Sequence, residues 1–107
     1  MERIDKLLLF LKDSPTDSFL QHALALEYIK EGADEKAREL FEAILAREPG
    51  YSGSYYHLAK LMERQKDYAA ALDWYKKGMD VTKQAGDKKA YNELRSAFDE
   101  INEEDDI

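Results

Sequence analysis

The sequence predicts an all-α fold, a solenoid of stacked helical hairpins, on three observations. Ala, Leu, Glu and Lys dominate, and only two prolines and five glycines interrupt the 107 residues, so backbone propensity favours helix. No stretch rich in Val, Ile or Thr alternates apolar and polar residues with period two, which leaves strands without support. Physically similar residues recur 34 positions apart: Pro15 with Pro49, Leu24 with Leu58, Ala25 with Ala59, Ala37 with Ala71, Phe41 with Tyr75 and Leu45 with Met79. A fixed period of that length marks a repeated two-helix unit.

The elements follow in order. Adding 34 to Leu7, Phe10 and Leu11 gives Phe41, Ile44 and Leu45, so residues 1–14 are expected to form a lone capping helix that ends at Asp13-Ser14-Pro15. The first whole repeat, 18–49, has helices from about Ser18 to Glu31 and from the Gly32-Ala33-Asp34 turn to about Arg47. Gly32 tolerates the left-handed conformation that ends a helix, and Asp34 is expected to cap the next. Pro49 then stops the second helix. The second repeat, 52–84, has helices from about Ser52 to Gln65 and from about Asp67 to Gln84, with Lys66-Asp67 at its turn. An offset of 36 carries Tyr55, Leu58 and Met62 onto Tyr91, Leu94 and Phe98, which predicts a second capping helix over 87–102. An acidic tail, 103–107, follows. One hairpin cannot bury its apolar face alone, so the units are expected to stack into a single domain. Ala25, Ala37, Ala59 and Ala71 stand where a larger side chain would push crossing helices apart.

Composition removes several function classes. A net charge of −7 makes nucleic acid and anionic lipid poor partners, since both require a basic surface. The longest apolar run, Leu7 to Leu11, is five residues, short of the roughly seven of a signal peptide and the roughly twenty of a membrane span. Without cysteine there is no disulfide, thiolate nucleophile or thiolate metal site. A cytoplasmic location is the simplest expectation.

A 34-residue helix-turn-helix period with these residues resembles the tetratricopeptide repeat family, and small stand-alone bacterial members of it in particular. The second repeat carries the pattern as Tyr55, Leu58-Ala59, Met62, Ala71, Tyr75 and Gly78; the first carries Gln21, Leu24-Ala25, Tyr28, Ala37, Phe41, Ile44 and Pro49. Gln21 departs from the family's aromatic, Ile44 from its small residue and Lys83 from its closing proline. The resemblance implies a right-handed solenoid whose concave groove binds a protein or peptide. It also implies that Tyr55, Leu58, Ala59 and Met62 are core, with Tyr55's hydroxyl at the core margin. Phe19, His22, Leu26 and Lys30 of the first repeat and Tyr56, His57, Lys60 and Arg64 of the second would then line the groove, with Lys89, Asn92, Glu93 and Ser96 on the last helix. That lining reads as apolar at one end, aromatic and basic in the middle and polar at the other, suited to a peptide with an apolar anchor and a carboxylate. Some members clamp a C-terminal carboxylate with Lys and Asn, but His22, Leu26 and His57 stand at those positions here.

No catalytic residue, metal ligand or cofactor is expected. His22 and His57 are the only histidines, no HExxH-like pair exists, and no Ser, Thr or carboxylate is spaced to complete a nucleophile–base set with His57. A non-catalytic scaffold or adaptor is therefore expected. Phe19, Ala23 and Leu26 form a second apolar stripe beside the core stripe Leu20, Leu24 and Tyr28. Such a solvent-facing stripe marks a partner or a neighbouring helix; the N-terminal helix is expected to cover only part of it, so a homodimer formed through this edge is the alternative. The tail is a solvated end, or it reaches back to Lys60 and Arg64.

Overall fold

The computed structural model describes residues 2–105. Among them are six helices and no strand: α1 Glu2–Asp13, α2 Ser18–Lys30, α3 Asp34–Arg47, α4 Gly53–Arg64, α5 Tyr68–Ala85 and α6 Lys88–Asp105. They fall into two compact units, Met1–Glu48 and Pro49–Ile107. The boundary lies where proline ends the second helix of the first repeat.

Three helix ends share one device. Gly32, Lys66 and Gly86 take φ of +78°, +64° and +72°. In each case the amide of the left-handed residue donates to the carbonyl three residues back, and the next amide donates five back: Gly32 to Ile29 and Ala33 to Tyr28, Lys66 to Glu63 and Asp67 to Met62, Gly86 to Lys83 and Asp87 to Thr82. This paired closure satisfies carbonyls that the helix would otherwise leave open. The helices that follow begin with aspartates in two of these three cases. Asp67 accepts from the Ala70 amide at 3.2 Å and Asp87 from the Ala90 amide at 3.1 Å. Asp34 does not cap as expected: Ala33 holds the N-cap position and Asp34 is already in the first turn, where its charge complements the positive end of the helix dipole. At the other end α6 continues to Asp105, so the expected tail begins later than residue 103. Residues 106–107, and the expectation that the tail covers the groove, lie outside the described residues.

In the first unit α2 packs against both α1 and α3. Ile4 and Leu7 of α1 meet Leu24 of α2, with Leu11, Leu20, Ala23, Tyr28 and Leu40 packed around them. In the second unit α5 packs against both α4 and α6. Ala59 and Ala71 are fully buried, as close helix crossings require. Gly78 shows how close they are. A Cβ added there would lie 2.8 Å from Tyr55 Cβ on α4 and 2.9 Å from Leu94 Cδ1 on α6.

The departure of Gln21 from the aromatic pattern has a physical resolution. Tyr55 is buried, and its hydroxyl donates to the Pro49 carbonyl at 2.6 Å. Thirty-four residues earlier, Gln21 Nε2 donates to the Pro15 carbonyl at 3.1 Å. Two unlike side chains thus tie the first helix of each repeat to the proline before it. Gln21 also accepts from Arg47, whose guanidinium reaches Ser18 Oγ as well, both at 2.7 Å. No helix among the described residues is long and apolar enough to cross a membrane.

Candidate functional site

Each unit carries a cavity lined by residues that the sequence singled out. In the first unit a cavity of about 440 Å³ is lined by Arg3 of α1 and by Phe19, His22, Ala23, Leu26, Glu27 and Lys30 of α2. Phe19 leaves 70% of its surface exposed. His22 is half-buried and sets its ring edge-on to Phe41 at 5.4 Å. Glu27, absent from the sequence expectation, reshapes the charge here. Its carboxylate accepts from both Arg3 Nε and Lys30 Nζ at 3.2 Å. The Lys30 hydrogen bond, joined by the charges of Lys30 and Arg3, outweighs desolvation and holds the Glu27 carboxyl below its usual range. The Lys30 cation is therefore engaged within the unit.

In the second unit a cavity of about 630 Å³ opens between α4 and α6. Tyr56, His57 and Lys60 line one side and Asn92, Glu93, Ser96, Ala97 and Glu100 the other. Helical spacing explains the selection: 56, 57 and 60 share one side of α4, while 93, 96, 97 and 100 fall on one stripe of α6. Tyr56 meets His57 edge-on at 5.6 Å and Tyr75 at 6.4 Å. Burial pulls the His57 pKa down from the usual imidazole value, so the ring is neutral near pH 7. Lys60 Nζ lies 5.6 Å from the Tyr56 ring centroid and 3.7 Å from the Glu63 carboxylate. The same Glu63 carboxylate accepts a hydrogen bond from the Tyr75 hydroxyl. Burial first, and then Glu63, push the Tyr75 phenol pKa far above its usual value.

Arg64 is exposed on α4 and does not line this cavity. The basic row expected along α4 thus reduces to Lys60, which already has an anionic neighbour. The polar side expected from α6 is acidic instead, because Glu100 joins Glu93. A signal for Glu100 was present. The offset of 36 that carries Tyr56, His57 and Lys60 onto Asn92, Glu93 and Ser96 also carries Arg64 onto Glu100. The fold brings Ser96 and Glu93 to the cavity that His57 lines. Among the described residues, no group of three or more His, Cys, Asp or Glu side chains is gathered to hold a metal ion.

These repeats match a known family. The model of the tetratricopeptide repeat covers residues 28–98, well over half of the 107-residue chain. The chain belongs to the tetratricopeptide repeat family. A tetratricopeptide repeat domain protein from Salinibacter ruber, solved in solution, is 39% identical over 78% of this chain and 85% of its own, with a TM-score of 0.76. A Bordetella parapertussis protein, at 24% identity, shares the fold over 95% of this chain and 89% of its own, with a TM-score of 0.83. The TPR2B domain of yeast Sti1, solved in complex with pHsp70, shares it at 15% identity over 94% of this chain and 81% of its own, with a TM-score of 0.85. None of the curated proteins matches the chain.

Proposed function

We propose that this tetratricopeptide repeat protein is a non-catalytic scaffold or adaptor that binds a protein or peptide segment. The observation that carries the reading is the cavity of the second unit, in which the half-buried ring of Tyr56 stands across from the polar stripe of α6. Aromatic side chains bury large area with few torsions, and such residues supply a large share of binding energy at interfaces. Phe19, His22, Leu26 and Lys30 offer a second contact region on the first unit, and Arg64 a charge near the first. The Sti1 domain, solved with pHsp70 on the same fold, supports the class of function and not the partner. Screening an array of immobilised peptides with wild type and the Tyr56→Ala variant tests the reading. Tyr56→Ala is expected to weaken binding of captured peptides by about 2 kcal/mol with helicity unchanged. Peptides captured equally well by both proteins would move the site away from this cavity.

A second reading has its own observation. Phe19 of the first unit is 70% exposed and lines one cavity with Ala23 and Leu26. Self-association through this apolar edge is the alternative function.

A further inference from the structure

We propose that the cavity of the second unit accepts a cationic side chain, Arg or Lys, from a partner peptide. This reverses the carboxylate expected from the sequence, and it rests on the reading of that cavity as a peptide site. Of the ionisable groups lining it, Glu93 and Glu100 are negative and Lys60 is positive. Lys60 is already held by Glu63. Neither Glu93 nor Glu100 has an ion-pair partner among the described residues; Lys89 of α6 does not line the cavity, and Arg95 is paired with Asp99 at 3.7 Å. His57, neutral near pH 7, adds no positive charge. The field in the cavity is therefore negative, which repels a partner carboxylate and draws in a cation.

The aromatic side points to the same class of ligand. The Tyr56 ring already has an ammonium group 5.6 Å from its centroid, that of Lys60. A partner guanidinium that displaced the Lys60 ammonium would meet the same electrostatic face. Glu93 and Glu100 stand two helical turns apart, about 10 Å along the α6 axis. An Arg or Lys stem lying along Tyr56 can reach either carboxylate, and a segment with two basic residues can reach both. Asn92, Glu93, Ser96 and Glu100 of α6 are exposed, which suits a chain passing across them. A volume of about 630 Å³ exceeds what one side chain fills, so backbone of the partner has room to enter as well.

The test uses the whole protein and four fluorescein-labelled decapeptides, identical except for two central residues: Arg, Lys, Glu or norleucine. Anisotropy titrations give affinities, and amide chemical shifts locate binding. The Arg and Lys peptides are expected to bind most tightly, to shift the amides of Tyr56, Asn92, Glu93 and Ser96, and to weaken as salt rises. The double variant Glu93→Gln, Glu100→Gln is expected to lose roughly five- to tenfold in affinity for the Arg peptide, since exposed ion pairs are each worth a few-fold. Its affinity for the norleucine peptide should stay at the wild-type value. Tyr56-dependent binding that favours Glu, or that ignores the double variant, overturns the cation inference and leaves the peptide-site reading standing. Absence of any peptide-induced shift in the cavity overturns both. Spermine forms the last arm: if its binding depends on Glu93 and Glu100 while that of no peptide does, the ligand is a small polyamine and the peptide inference fails.

Discussion

Gly78 is where the second unit is least forgiving at the level of single atoms. Tyr55 Cβ, the nearest of the three atoms that an added methyl would meet, is the root of its side chain and cannot swing away. Alanine normally improves a helix interior by about 0.5–1 kcal/mol over glycine, whereas overpacking costs roughly 1–3 kcal/mol. Gly78→Ala is therefore expected to destabilise the protein by about 1 kcal/mol or more, read from urea melts. Lys76→Ala, two positions earlier on an exposed face, should stay within about 1 kcal/mol, including the loss of its cation–π contact with Phe98 at 5.7 Å. If Lys76→Ala proved the more damaging, the crossing at Gly78 would not limit packing. The residue scale is also where sequence reading stops soonest. Lys60 and Glu63 are three apart, a pairing that a helix permits, but the contact of Tyr75 with Glu63 joins two helices and exists only once α4 and α5 have packed. The charge of Lys60 could not be discounted before that carboxylate had a place.

Helix ends decide the outcome at the next scale up. The positions of the turns were legible: Gly32 and Lys66 are 34 apart, and both close a first helix with a left-handed residue. Their conformations were legible only at Gly32, because glycine announces a positive φ and lysine does not. A non-glycine residue in that conformation costs about 1–2 kcal/mol, while glycine gives up about 0.5–1 kcal/mol of chain entropy on folding. Lys66→Gly is accordingly expected to stabilise the protein by about 0.5–1 kcal/mol in the same melts. An unchanged or lowered midpoint would mean that the Lys66 side chain contributes contacts that offset its backbone strain. The cap at Asp34 was misplaced by one residue for a related reason. A carboxylate in the first turn and one at the N-cap both favour a helix start, so composition alone does not separate them.

For the molecule as a whole, periodicity carried the fold and charge complementarity did not carry the site. Six helices and their order follow from one offset of 34 and one of 36. The sign of the larger cavity depends on Glu93 and Glu100 facing it while Arg64 does not, which is a matter of three-dimensional placement. The exposed edge of the first unit bears on assembly. Replacing Phe19 and Leu26, which line one cavity, with Glu is expected to keep the protein folded and to convert any dimer to monomer in sedimentation velocity runs at high concentration. A strictly monomeric wild type under those conditions would remove self-association. Trp74 offers one more handle on the whole chain. It is the single tryptophan, it lies 6.2 Å from the Tyr55 ring, and the Lys77 ammonium stands 4.6 Å from its ring. Its emission therefore reports on the second unit alone, whereas far-ultraviolet ellipticity counts helical turns in both. The protein carries its own optical label, placed so that the half with the larger cavity can be watched separately from the rest.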